Sequence, residues 1–284
     1  VAQFQKSFWF AGGPAFFFRK ERLSLPEPIT ERSLTYCLGI LLPEGLVLAA
    51  DSRSNAGIDQ IARVHKLAVF EKAGNRVICI LSAGNLATTQ AVVTALREAL
   101  GSGDYAHDLE TAETMFEAAR ILGAKLRQVL EHETRYVEPY GDPSASFLIG
   151  GQIAGERPRL FEVYSAGNFI EASDRACFLQ IGETKYGRPI LDRALHRHTP
   201  LEEAAKLALL SFDATMRSNL SVGLPIDILR YDIDSFSARN FSTLEAHNPY
   251  WQALRQKYSE GLAGVIAGLP APPPLCGRED ESRC

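Results

Sequence analysis

The sequence predicts an α+β fold in four layers, αββα, from three observations. Apolar strand-like runs arrive as hairpins, those runs are apolar on both faces, and the segments with helical periodicity fall into two groups separated by strands. Hairpins build antiparallel sheets. Sheets that are apolar on both faces need two covers, so two sheets stack face to face with a helical layer outside each. A chain of 284 residues is long enough to enclose such a core in one large unit.

The elements follow in order. TYCLGILL (35–42) is the first strand-like run, Pro43, Glu44 and Gly45 form a turn, and LVLAAD (46–51) returns. Symmetric pairing about Glu44 sets Cys37 opposite Asp51. HKLAVFE (65–71) and RVICILS (76–82) flank a second turn, and pairing about Ala73 sets Lys66 opposite Ile80, on the side leading to Ser82, Ala83 and Gly84. A helix is expected from near Asn85, with Leu86, Val93, Leu96 and Leu100 on one stripe. Another is expected over 109–132, with Met115, Ala119, Leu122, Leu126 and Val129 spaced by three and four. Strand-like runs return at SASFLIGG (144–151), RLFEVYS (159–165) and ACFLQIG (176–182). Thr199-Pro200-Leu201-Glu202 reads as a capping box with proline at the first helical position. The helix it opens runs on through residue 216, and PIDILRYDI (225–233) reads as the final strand. Over 248–269, Tyr250, Leu254, Tyr258, Leu262 and Val265 form one more helical stripe, ended by the prolines at 270 and 272–274. The expected organisation is a leader at 1–34, a main domain at 35–240, a helical extension of it at 241–270 and a flexible tail at 271–284.

Composition narrows the function. Net charge is −4, with no basic field to hold nucleic acid or anionic lipid. The apolar run FWFAGGPAFFF (8–18) is broken by Gly12, Gly13 and Pro14 and is too short to span a bilayer. The five cysteines are widely spaced without a CxxC, so neither a zinc ribbon nor a thioredoxin-type motif is present, and a reducing, cytoplasmic setting is expected. No GxSxG elbow, Walker A loop or HExxH occurs, and no metal or cofactor is implied. Gly101-Ser102-Gly103 lies between two helices and reads as a turn, and His196 and His198 read as surface residues.

The anomaly is polar. Lys66 stands in an otherwise apolar run, and a buried ammonium is costly unless paired; Asp51 is its natural partner. Such a pair is either a structural ion pair or part of a reactive site.

Thr35-Tyr36-Cys37-Leu38-Gly39-Ile40, then Gly45 to Arg53 (GLVLAADSR), then Lys66, then Ser82-Ala83-Gly84 resemble a proteasome β-subunit. Asp51 to Gly57 (DSRSNAG), TMRSNLSVGLPID and the NPYW…LPAPP tail resemble Anbu, the bacterial proteasome-related family, over about residues 35–274. The resemblance implies an N-terminal-nucleophile hydrolase in which Thr35 is the nucleophile, Asp51 its acidic partner, Lys66 the catalytic lysine and Gly84 the oxyanion donor. A threonine hydroxyl needs a base, and a free α-amine on the same residue serves as one. Ser221 matches a partner of that amine. Ser218 stands where proteasome subunits usually carry an aspartate, and Asn168, after Gly167, is the candidate for the other accessory position. Ser54, Asn55, Val64 and Ser82 would line a small, mostly neutral substrate pocket.

The implied activity is cleavage of a peptide or small amide, without cofactor, in a homo-oligomeric ring or spiral with the tail helix at a subunit contact. Two rivals stand beside it: a non-catalytic ring subunit that binds peptides, and a narrow amidase or acyl-transfer enzyme on the same site. A free amine on Thr35 requires that 1–34 be absent from the working chain. Either a leader is clipped, which Leu34 in place of glycine disfavours, or Leu34 is an initiator decoded as methionine and then removed.

Overall fold

The computed structural model describes residues 35–55 and 61–273. The expected leader and nearly all of the expected tail lie outside these residues, as do the side chains of Ser54 and Asn55.

β1 (Tyr36–Leu42) and β2 (Gly45–Asp51) pair antiparallel across a two-residue loop, with Leu42 opposite Gly45. The hairpin is therefore centred between Pro43 and Glu44, not on Glu44. Cys37 faces Ala50 rather than Asp51, and Asp51 lies beside Tyr36. A two-residue loop is the commonest hairpin closure, and one residue of register moves every side chain to the other face. β3 (Arg53–Asn55) and β4 (Ile61–Arg63) form a small separate ribbon.

β5 (Leu67–Lys72) and β6 (Arg76–Gly84) pair with Lys72 opposite Arg76, so the second hairpin centres on Gly74 instead of Ala73. Extending that register sets Lys66 opposite Ser82, two places from the expected Ile80, and the Ser82 N–H donates to the Lys66 carbonyl at 3.1 Å. A slip of two preserves the face, so the expected side of Lys66 survives the correction.

α1 (Leu86–Glu98) starts after Asn85, whose side chain accepts from the Thr88 N–H. α2 (Met115–Val137) starts six residues later than its periodicity suggests. Asp108 is the reason: its carboxylate accepts from the N–H groups of Gly103 and Glu110, holding that stretch in turns until Thr114 caps the helix.

β7 (Ala145–Ile153), β8 (Arg159–Val163) and β10 (Phe178–Gly182) match the expected runs. The three-residue β9 (Phe169–Glu171) and the seven-residue α3 (Arg188–Ala194) were too short to read. α4 (Leu201–Ser218) has no capping box: Thr199 accepts instead from the His196 N–H. Glu44, in the loop between β1 and β2, accepts from the Leu201 N–H at 3.1 Å and caps α4 from a distance. β11 (Ile226–Asp232) is not the last strand, because β12 (Phe241–Leu244) pairs beside it. α5 (Pro249–Gly268) is capped by Asn248.

One sheet has the order β10-β1-β2-β11-β12 and the other β5-β6-β7-β8-β9. Val92, Leu96, Met115 and Leu122 bury α1 and α2 against Ile78, Ile80, Phe147 and Ile149 of the second sheet. α3, α4 and α5 cover the first through Leu191, Phe212 and Trp251. Between the sheets lie Cys37, Leu48, Cys79, Leu148 and Ile181. The four layers expected from the sequence are those observed. Tyr250, Tyr258, Leu262 and Val265 are exposed in the single chain, and the helix is held through Trp251, which is fully buried, and the partly buried Leu254.

Trp251→Ala removes the largest buried side chain of α5. It is expected to cost about 3–5 kcal/mol of unfolding free energy by urea titration, against well under 1 kcal/mol for Val265→Ala measured on dissociated chains.

Candidate active site

Residue 35 stands immediately ahead of β1, and neighbouring segments fix this strand end. The Glu183 N–H donates to the Thr35 carbonyl at 2.7 Å, extending the pairing of β1 and β10 one step beyond Tyr36–Gly182. Gly182 has φ +81°, and a Cβ there would run into the Thr35 carbonyl. Only glycine lets β10 approach so closely.

One residue further on, the Tyr36 N–H donates to Asp51 Oδ1 at 3.0 Å. Lys66 Nζ lies 2.9 Å from the same oxygen and donates also to the Arg53 carbonyl at 2.5 Å. Both side chains of the pair are buried, Lys66 with 6% of its side chain exposed and Asp51 with none. Burial pushes the Asp51 carboxyl above the usual carboxylate range. The Lys66 ammonium and the N–H groups of Tyr36 and Gly223 pull the other way, toward the charged form. Its second oxygen, Oδ2, has no hydrogen-bond partner among the described residues.

The start of β1 is pinned on both faces. On the outer side, the Tyr36 hydroxyl meets Ser211 Oγ at 3.1 Å and accepts from Gln180 Nε2 at 2.5 Å, and burial pushes its pKa up to about 12. Towards the second sheet, Cys37 Sγ donates to the Ser82 carbonyl, and burial raises its thiol pKa as well. Cys37 and Cys79 are buried free thiols, as small apolar residues would be.

Gly84 ends β6 at φ +117°, where a Cβ would collide with the Ser144 carbonyl oxygen and the Ala145 backbone. Its N–H is thus held at a strand end where other residues do not fit. Ser82 is buried, and its hydroxyl turns to the Lys66 carbonyl at 3.5 Å. Val64 is half-buried beyond β4, with its N–H on the Ser52 carbonyl at 3.0 Å.

The loop from Asn219 to Pro225 closes the other side. Asn219 donates to Glu183 Oε2 at 3.1 Å and accepts from the Ser221 N–H at 3.0 Å. Arg53 donates to the Leu220 carbonyl at 2.6 Å and lies over Gly223. Ser221 is half-buried within this loop, and Ser218, the last residue of α4, is exposed. Asn168 sits in the turn between β8 and β9, its carbonyl accepting from the Tyr164 N–H. Glu183 is the residue whose backbone N–H meets the Thr35 carbonyl. His196 and His198 are exposed ahead of α4.

Sequence reasoning missed Arg53, Glu183 and Asn219, and it missed Asp227. Fully buried, Asp227 accepts from Ser52 Oγ at 3.0 Å and Thr243 Oγ1 at 2.7 Å, and lies 2.8 Å from His65 Nδ1. The signal was available: an acid inside PIDIL is the same kind of anomaly as a lysine inside HKLAVFE.

The family model described as Proteasome subunit matches residues 34–229. Anbu (ancestral beta-subunit) from Yersinia bercovieri superposes with a TM-score of 0.81 at 42% identity, covering 85% of this chain and 100% of that one. The chain belongs to the Anbu family of proteasome-related proteins. Anbu from Pseudomonas aeruginosa, solved as a helical assembly, is 43% identical with a TM-score of 0.81, over 84% of this chain and 98% of its own. Proteasome subunit beta 2 of Nitrosopumilus maritimus is 28% identical over 210 residues, 71% of this chain and 88% of that protein. The Anbu resemblance read from the sequence therefore holds, and with it the αββα sandwich of the N-terminal-nucleophile hydrolase type.

In this Anbu chain Lys66→Ala would strand a buried carboxylate and is expected to cost about 3 kcal/mol in chemical denaturation. The double variant Asp51→Asn, Lys66→Met, which removes both charges, should recover most of that loss.

Proposed function

We propose that the protein is a proteasome-like threonine hydrolase that cleaves peptide or small amide bonds through an acyl ester on an N-terminal Thr35. The observation that carries this reading is the sharing of one buried oxygen, Asp51 Oδ1, between Lys66 Nζ and the N–H of the residue next to Thr35. A buried cation fixed beside a hydroxyl-bearing strand end favours loss of the hydroxyl proton.

The Thr35 hydroxyl oxygen attacks the substrate carbonyl carbon while its proton passes to the α-amine of the same residue. The Gly84 N–H donates to the oxyanion that forms. As the tetrahedral intermediate collapses, the C–N bond breaks and the proton goes to the departing amine, leaving the acyl ester. Water then attacks that ester and gives a proton to the same amine; the bond from the acyl carbon to the Thr35 oxygen breaks, that oxygen takes the proton back, and the product acid leaves. Lys66 lowers the proton affinity of hydroxyl and amine alike, and Asp51 holds Lys66 in place. Ser221 contacts the amine, Ser218 stands in through its hydroxyl for the usual aspartate, and Ser54, Asn55, Val64 and Ser82 receive the substrate.

An amide nitrogen at position 35 has no lone pair for this work, so the working chain begins at Thr35 and lacks 1–34. The exposed apolar face of α5, with the helical assembly of the Pseudomonas aeruginosa Anbu, supports a homo-oligomeric ring or spiral with α5 at a contact. Among the described residues no helix is long and apolar enough to cross a membrane, and the proposed site of action is the cytoplasm.

Incubation with a peptide epoxyketone should add one inhibitor to residue 35, and Thr35→Ala should abolish the adduct without changing the melting curve. An adduct that persists in this variant, or maps elsewhere, overturns the nucleophile. Intact mass should give Thr35 as the first residue. A purified chain that keeps residue 34 and takes no label is instead a non-catalytic, peptide-binding subunit.

Light scattering should show an assembly of many subunits that Leu262→Glu with Ile266→Glu reduces to smaller species. A stable wild-type monomer at micromolar concentration refutes the assembly.

A further inference from the structure

Cys37 and Ile181 face each other across β1 and β10, and both point into the core between the sheets. Side chains repeat every second residue along a strand, so the next inward pair toward the site is Thr35 and Glu183. Their backbones are joined by the 2.7 Å bond from the Glu183 N–H to the Thr35 carbonyl. Directly opposed residues of an antiparallel pair hold their Cβ atoms about 5 Å apart, within reach of a glutamate side chain. Glu183 Oε2 accepts from Asn219, and Asn219 in turn holds the Ser221 N–H, so the carboxylate bridges the strand and the loop that flank Thr35.

We propose that Glu183 is a positioning residue that holds the α-amine of Thr35, supplying the carboxylate that the loop after α4 lacks at Ser218. The proposal rests on the reading of Thr35 as the mature N-terminus.

The surrounding charges favour this assignment. Lys66 faces the site from the second sheet, and Asp51 from β2; Asp51 Oδ2 carries no hydrogen-bond partner among the described residues, but the charge of Asp51 is already balanced by Lys66 through Oδ1. Arg53 is drawn to the Leu220 carbonyl, and the Lys185 N–H touches Glu183 Oε1 at a long 3.5 Å. Glu183 is therefore the carboxylate left to balance an ammonium on residue 35. It would keep the amine basic against the depressing field of Lys66 and fix the direction from which it takes the hydroxyl proton. A structural role is the alternative: Glu183 would do no more than tether Asn219.

The two are separated by titrating the α-amine itself, which needs no substrate. Protein whose first residue is Thr35 by mass spectrometry is treated with acetic anhydride across a pH series, and acetylation of residue 35 is read by peptide mass. Loss of a carboxylate beside an amine lowers its pKa, so Glu183→Gln should move the midpoint down by about one pH unit. Asn219→Ala, which removes the tether and keeps the carboxylate, should stay close to wild type. Gln is nearly isosteric at this half-buried position, and equal melting curves check that the fold is kept.

An unmoved midpoint in Glu183→Gln overturns the proposal, and so does an equal shift in both variants. If epoxyketone labels Thr35 but the midpoint does not move, Glu183 fails alone. If the midpoint moves but nothing labels Thr35, the hydrolase reading fails and Glu183 stands. A chain that keeps residue 34 has no such amine, and both fall.

Discussion

A single carboxylate oxygen organises this end of the molecule. Asp51 Oδ1 accepts from the backbone at the start of β1 and from Lys66 ahead of β5, and so bolts two interior strand ends of one sheet to the entry of an edge strand of the other. Neither side chain can be buried alone, because an isolated charge in the interior is destabilising by several kcal/mol. The pair also settles the relative height of the two sheets, since moving either strand end by one residue would break it. Everything else near residue 35 is arranged around that junction: glycine at 182 for close approach, glycine at 84 for a strand end, and a loop anchored by Arg53.

The architecture was legible because its signals are long. Hairpins with apolar faces and helices of several turns leave patterns that survive small errors of boundary, and the four layers follow from them. Register was legible only in part. Counting from an assumed centre put Asp51 opposite Cys37 and Lys66 opposite Ile80, since one residue more or less in a turn is invisible to periodicity. The pair emerged anyway, because the anomaly of a lysine among apolar neighbours does not depend on register. The capping of α4 illustrates the opposite limit. Thr199-Pro200-Leu201-Glu202 has the local look of a capping box, yet the acceptor comes from Glu44, 157 residues away in sequence.

The candidate site divides in the same way. Thr35, Asp51, Lys66 and Gly84 were named as candidates by an anomaly and by resemblance to a family. Glu183, Asn219 and Arg53 were not, because each contributes through a loop whose path is set by tertiary packing. Asp227 is a third case: a buried acid satisfied by Ser52 and Thr243 that stiffens the strand leading from Asp51. Its position in an apolar strand announces burial, but its partners lie too far away in sequence to be named.

The remote cap on α4 has a mechanical consequence. β2 and α4 run side by side, and both of their ends are fastened to each other. At one end Glu44 holds Leu201; at the other, Arg53, two residues past β2, donates to the Leu220 carbonyl, two residues past the helix. Eighteen residues of helix make a rod about 27 Å long. With rod and strand pinned at two corners, they form a braced frame that resists shear, and α4 cannot slide along the sheet without releasing one corner. The spacing between residue 35 and the loop carrying Ser221 is thus governed partly by a turn at the far end of β2.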